Sequence, residues 1–155
     1  MKNSEVLPLL VKIKKLSNEA IVPVKATEGA IAFDVFIPRD FRVHVGRQVI
    51  PLDFSIEMPT FLEAKIEPRS GFSLKGMESC DGIRHDADVI VGKIDSDYRG
   101  NVGVIIRSYE EFTISAGTRI AQLTFYKSPM VEFVISDELS DTQRGDGGFG
   151  HTGAK

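Results

Sequence analysis

Residues 51–58 read PLDFSIEM and residues 62–67 read LEAKIE. In the first stretch Leu52, Phe54, Ile56 and Met58 alternate with Asp53, Ser55 and Glu57. In the second, Leu62, Ala64 and Ile66 alternate with Glu63, Lys65 and Glu67. Neighbouring side chains on a strand point to opposite faces, so a period of two puts the apolar set in a core and the polar set outward. The pattern returns at Val102, Val104 and Ile106, and again at Val131, Phe133 and Ile135. Pro, Gly, Asp and Ser interrupt these runs at short intervals, and no long window carries the i, i+3, i+4, i+7 spacing of an amphipathic helix. The expectation is an all-β fold, a jelly roll or distorted β-barrel with strands in two layers. One short helix is expected after Ser70, with Ser70 as its N-cap and Phe72 to Met77 free of proline. A hairpin is expected from the strands 88–94 and 101–106, and a further strand over 119–125.

The 155 residues suit one domain, with 42% hydrophobic and 26% charged residues, which excludes bulk disorder. A chain of this size buries about 70% of its unfolded surface and folds without staples. The net charge of −3 argues against a protein that coats polymeric nucleic acid through its phosphates. Any positive charge needed for an anion must be local. The single cysteine, Cys80, excludes an intrachain disulfide and a cysteine-cluster zinc site, and favours a reducing compartment. No apolar run approaches the roughly 18 residues of a membrane helix. The first residues, MKNSEVLPLLVKIKK, lack the pattern of a signal peptide, so the expected location is cytoplasmic, with no membrane partner.

Composition shifts sharply at one place. Residues 144–155, RGDGGFGHTGAK, are dominated by glycine, which divides the chain into a core domain, 1–143, and a C-terminal arm, 144–155. By itself such a tail is either a frayed end or an arm that orders on a ligand. It contains GxGxxG at Gly145, Gly147 and Gly150, but a dinucleotide fingerprint needs a strand before it and a helix after it. His44, His85 and His151 have no ligand-type spacing with Cys80, so a protein-ligated zinc site is not expected.

Five segments carry the chemistry: Ala30–Val35 (AIAFDV), Glu67–Phe72 (EPRSGF), Gly92–Val102 (GKIDSDYRGNV), Gly117–Leu123 (GTRIAQL) and Arg144–Gly153 (RGDGGFGHTG). Asp95, Asp97 and Tyr98 sit between two apolar runs. An ionised carboxylate there can take a proton from water, although a lone DSDY is by default a turn. Arg69, Ser70 and Gly71 offer a guanidinium, a hydroxyl and the start of a helix together, which makes a phosphate grip, a plain helix cap, or both. Gln122 among Ile120, Ala121 and Leu123, and Asp34 between Phe33 and Val35, read as outward strand residues or as site residues.

In order and content the five segments resemble the trimeric dUTP pyrophosphatase (dUTPase) family, from about Ala26 to the C-terminus. The resemblance implies a homotrimer that hydrolyses dUTP to dUMP and pyrophosphate, keeping uracil out of DNA and supplying dUMP for dTMP synthesis. It implies that Asp95 holds the attacking water, that the hairpin at Lys93 and Ile94 receives uracil through its backbone, and that the Tyr98 ring packs on deoxyribose and leaves no space for a 2′-hydroxyl. Arg69, Ser70, Gly71 and Gln122 would lie on the phosphates, and Asp34 would stand behind the metal's waters. In the arm, Arg144 would pair with the γ-phosphate, Phe149 would stack on uracil, and Gly150, His151 and Thr152 would wrap the phosphates of a neighbouring subunit's site. The resemblance also implies Mg²⁺ as cofactor, carried on the triphosphate and reaching protein only through water, with no direct protein ligand.

Asp97 is expected to be structural, paired with an arginine such as Arg119. Three features depart from the family pattern. The connection 72–91 is longer and holds Cys80, His85 and Asp86, which suggests a surface loop near the hairpin. Lys93 replaces an aliphatic residue, and His151 replaces a common serine, although a protonated histidine still donates to phosphate. The alternatives are a dCTP deaminase of the same fold, which lacks the DxDYxG hairpin, and a non-catalytic nucleotide-binding β-trimer.

Overall fold

The computed structural model describes residues 7–148. The arm residues Phe149, Gly150, His151 and Thr152 lie outside this range. The alternating runs become short strands separated by turns. In chain order these are β1 (Lys12–Lys15), β2 (Phe33–Phe36), β3 (Phe41–Val43), β4 (Gly46–Pro51), β5 (Phe54–Glu57) and β6 (Leu62–Glu67). The helix α1 (Ser70–Lys75) follows, then β7 (Met77–Glu78), β8 (Arg84–His85), β9 (Ala87–Ile90) and β10 (Gly92–Ile94). The chain continues through β11 (Gly103–Ser108), β12 (Phe112–Ile114) and β13 (Arg119–Lys127).

All strand pairs are antiparallel. The larger sheets run β10-β6-β13-β2 and β4-β11-β9, and the pairs β1-β5, β12-β3 and β7-β8 complete the set. The layers have the character of a jelly roll, but the described strands close no barrel. Between the layers lies one core that includes Phe54, Ile66, Val104, Ile106, Ile114 and Ile120. In β6 the alternation is kept residue by residue: Leu62, Ala64 and Ile66 are buried, and Glu63, Lys65 and Glu67 are half-buried.

Several expectations are corrected. In the stretch that set the fold, Asp53 and Ser55 are buried with their apolar neighbours, because β1 pairs with β5 and a polar cluster covers Asp53. The expected hairpin is divided. β9 pairs with β11, with Ile90 opposite Ile105, while β10 crosses to the other sheet and places Gly92 opposite Ile66. Val91 is the residue of transfer between them. Residues 129–135 form no strand, and Val131, Phe133 and Ile135 are 70%, 97% and 99% exposed. A single chain offers this segment no face to bury.

The helix starts as expected but is capped differently. Arg69, not Ser70, is the N-cap, and its carbonyl accepts the N–H groups of Phe72 and Ser73 at 3.0 Å. The helix ends one turn later at Gly76, with φ 73°. A Cβ there would lie 2.2 Å from the His85 carbonyl oxygen, so this crossing of the 72–91 connection admits only glycine. The connection itself is not plain loop: it contains most of α1, then β7, β8 and β9. His85 stacks on Phe112, with ring centroids 4.2 Å apart, and its Nδ1 contacts Glu110.

Candidate active site

The sequence-predicted residues fall into two groups on either side of β6. The first group lines a cavity of about 240 Å³ where the two larger sheets part. Lys93, Ile94, Asp95 and Tyr98 contribute to it, together with Ile66 from β6 and Ile105 from β11. β10 leads into the turn, and the Tyr98 N–H donates to the Asp95 carbonyl at 3.1 Å. Arg99 stiffens the turn by donating to the carbonyls of Ser96 (2.8 Å) and Tyr98 (3.2 Å). The Tyr98 hydroxyl donates to the Asn101 carbonyl at 3.1 Å, which folds the ring back over Gly100. A Cβ on Gly100 would stand 2.4 Å from that hydroxyl, so a side chain there would displace the ring.

Asp95 is exposed, and among the described residues its side chain makes no hydrogen bond or ion pair. It is therefore open to water. Lys93 is held by Glu63 at 2.9 Å, which pulls the Glu63 carboxyl below its ordinary range and pushes the Lys93 ammonium above its own. The departure at Lys93 thus has a local partner on β6, and the residue still lines the cavity.

The second group gathers where β2, β6 and β13 lie side by side. Asp34 on β2 stands opposite Gln122 on β13, and Gln122 stands opposite Glu67 on β6. Asp34 is buried and takes Arg69 at 3.2 Å and Arg119 at 3.4 Å. This corrects the pairing expected between Asp97 and Arg119: Asp97 is exposed on the turn, and Arg119 points to Asp34 instead. Arg69 also donates to the Arg119 carbonyl at 3.3 Å. Its guanidinium is thereby fixed beside Ser70 and Gly71, both exposed. Gln122 is half-buried and donates to the Pro68 carbonyl at 3.1 Å, which ties the Pro68–Gly71 corner to the central strand. Beside it, a cavity of about 520 Å³ is lined by Asp34, Glu67, Gln122, Thr124 and Tyr126.

Among the described residues, the cavity lined by Asp95 contains none of Asp34, Arg69, Ser70 or Gln122. One chain supplies a base-sized cavity with an open carboxylate, and a separate basic corner. From the arm, Arg144 is described: it is exposed, its Nε donates to the Gly147 carbonyl at 2.8 Å, and it lines neither cavity.

Sequence reasoning missed the polar cluster beneath the turn. Asn101 and Asp53 are hydrogen-bonded, and Arg39 and Ser17 hold the Asp53 carboxylate. Asp53 belongs to the polar half of an alternating run, whose pattern alone points it to solvent.

The family model described as dUTPase matches residues 18–153. The deoxyuridine 5′-triphosphate nucleotidohydrolase of Arabidopsis thaliana is 41% identical over 145 residues, covering 92% of this chain and 82% of the relative. Among solved structures, a dUTPase variant of Staphylococcus bacteriophage 80alpha with dUpNHpp superposes with a TM-score of 0.81 at 23% identity, over 94% of this chain and 99% of that one. A dUTPase variant from phage phi11 of S. aureus, described with a structural Mg(II) ion, gives a TM-score of 0.73 at 20% identity, over 85% and 99%. The two phage structures share the fold, while the family match and the sequence identity carry the lineage: this chain belongs to the dUTPase family.

Proposed function

We propose that the protein hydrolyses dUTP to dUMP and pyrophosphate, removing dUTP before it enters DNA and supplying dUMP. The observation that carries this reading is the cavity at Lys93, Ile94, Asp95 and Tyr98, which sets an open carboxylate beside a slot of about 240 Å³. The main chain of residues 93 and 94 faces uracil, and the Tyr98 ring lies against the sugar. Asp95 accepts a proton from water as the water oxygen bonds to the α-phosphorus. The bond from that phosphorus to the bridging oxygen breaks, and pyrophosphate leaves with the electron pair. Arg69, Ser70, Gly71 and Gln122 hold the phosphates in line for that attack.

The working site is built from more than one chain, and the protein is a homotrimer. Two features support this. The base cavity and the basic corner are separate in one chain, and apolar side chains from Val131 to Leu139 stand uncovered. The arm, 144–155, closes over a neighbouring subunit's site, with Arg144 on the γ-phosphate, Phe149 on uracil, and Gly150, His151 and Thr152 around the phosphates. Closure fixes the phosphate chain and excludes water.

Mg²⁺ is the cofactor. Among the described residues no group of three or more His, Cys, Asp or Glu side chains is placed to hold an ion, and Asp34 is engaged by two arginines. This donor set fits an ion that would arrive on the triphosphate, with Asp34 behind its waters. When bound, it neutralises charge on the phosphates. The exposed free thiol of Cys80 suits a cytoplasmic location, and no helix of the described residues is long and apolar enough to cross a membrane.

The test is a nucleotide panel. Pyrophosphate release from dUTP, dCTP, dTTP and UTP with Mg²⁺ is expected to favour dUTP strongly. Ammonia release from dCTP, or dUTP binding without turnover, would overturn the reading. A solution mass other than that of three chains would remove the trimer.

A further inference from the structure

Beneath the Tyr98 turn, a chain of polar contacts runs from the surface to the cavity wall. At its outer end, Arg39 donates to Glu19 at 2.8 Å and also to the Asp53 carboxylate. Ser17 donates to the same carboxylate at 2.8 Å. Asp53 is 8% exposed and has φ 59°, the one residue other than glycine in the left-handed region among the described residues. An aspartate tolerates that conformation better than most side chains, but it remains an uncommon state that its surroundings must hold. The hold comes from Asn101. The Asp53 N–H donates to Asn101 Oδ1 at 2.9 Å, and Asn101 Nδ2 donates back to Asp53 Oδ1 at 3.4 Å. On either side the main chains are bonded as well, Leu52 N–H to the Val102 carbonyl at 2.9 Å and Val102 N–H to the Phe54 carbonyl at 2.8 Å. The last link is the Asn101 carbonyl, which accepts the Tyr98 hydroxyl.

We propose that Asp53 and Asn101 are a positioning pair for substrate selection: they lock the carbonyl that anchors the Tyr98 hydroxyl, and so fix how closely the ring can approach the sugar. The inference rests on the reading of Tyr98 as the residue that excludes a 2′-hydroxyl. The geometry supports a positioning role because the pair is clamped at both ends. Ser17, Arg39 and the two main-chain bonds immobilise Asp53, and Asp53 engages both atoms of the Asn101 amide. A ring anchored to a fixed carbonyl makes a hard wall, whereas a ring anchored to a mobile one gives way to an extra hydroxyl. Asn101 lines the same cavity and Asp53 does not, so an effect of Asp53 on the ring must pass through Asn101.

The experiment compares kcat/KM for dUTP and UTP in the full-length protein. Asn101→Ala removes the side-chain link and keeps the carbonyl. Asp53→Gly removes the carboxylate and relaxes the φ of 59°. Each is expected to lower the dUTP/UTP preference about fivefold or more, the worth of one hydrogen bond, with UTP turnover rising. A merely destabilised protein loses turnover of both substrates, and the core control Ile114→Val is expected to lower the melting temperature with the preference intact. Tyr98→Phe lacks the anchored hydroxyl, so adding Asn101→Ala to it is expected to cause no further loss of preference. If Asn101→Ala and Asp53→Gly keep the preference within about twofold while Tyr98→Ala loosens it, the positioning role is wrong and the reading of Tyr98 survives. If Tyr98→Ala also leaves the preference unchanged, the two fall together.

Discussion

Asp95→Asn separates chemistry from architecture. Asparagine has nearly the same shape but cannot take a proton from water at neutral pH. In the folded chain Asp95 is exposed, and among the described residues its carboxylate bonds to nothing, while its carbonyl holds the Tyr98 N–H at 3.1 Å. The substitution keeps that carbonyl. Its cost in stability should therefore stay within about 0.5 kcal/mol, the usual range at the surface, or about 2 °C in melting temperature. Removing a general base costs about 10²–10⁴ in rate, which is about 3–5 kcal/mol of barrier. The expected result is a protein with unchanged melting temperature and unchanged affinity for dUTP, but with kcat reduced by at least about a hundredfold. Pyrophosphate release under saturating dUTP, calorimetric binding of dUTP and a thermal melt measure the three quantities. Turnover within about threefold of the parent would remove Asp95 as the base. A loss of turnover accompanied by a falling melting temperature would show that the carboxylate has a structural partner, and would refute the reasoning at its premise.

Other consequences can be checked separately. Deleting residues 144–155 should abolish turnover and leave the circular dichroism spectrum and the number of chains per particle unchanged, since among the described residues the hydrogen bonds of the arm stay within residues 142–147; retained turnover would make the arm an ordinary frayed end. Arg39 holds the Asp53 carboxyl below its ordinary value near 3.8, against the opposing effect of burial. The group therefore stabilises the fold above its unfolded pKa, and that stability is lost as pH falls through the lower folded value. Asp53→Asn should flatten the acid side of a melting-temperature profile between about pH 5 and pH 2, and parallel profiles would contradict the ion pair. Gly76→Ala combines a left-handed φ with a Cβ 2.2 Å from the His85 carbonyl, so about 2–4 kcal/mol of stability should be lost. A melting temperature within about 3 °C of the parent would mean that this crossing is looser than the geometry implies.

Much of the fold was legible because burial follows alternation wherever one face of a strand meets the core. β6 and β11 are clear cases. The rule failed where a strand is covered on its second face: Ser55 lies opposite Lys14 of β1, and the polar cluster over Asp53 includes Asn101, 48 positions away. It also failed at Val131, Phe133 and Ile135, where the pattern was present but a single chain supplied no partner surface. For the site, the motifs placed Asp95 and Tyr98 on one turn correctly, because their spacing is local. The split of 88–94 between two sheets and the pairing of Arg119 with Asp34 were not legible, since both depend on which strands become neighbours. The anchor of Tyr98 by Asn101 lies three residues away, yet its rigidity comes from Asp53 across the sheet.

The transfer of the chain from one sheet to the other at Val91 has a consequence for how this domain comes apart. The cavity at Asp95 straddles the seam, with Ile66 on one sheet and Ile105 on the other. A nucleotide seated there is a fastener between two plates that are otherwise joined by turns and core packing. Its effect on amide exchange should be non-local: β10 and β11, which are not hydrogen-bonded to each other, should slow together, and the separate opening of either sheet should give way to one concerted opening.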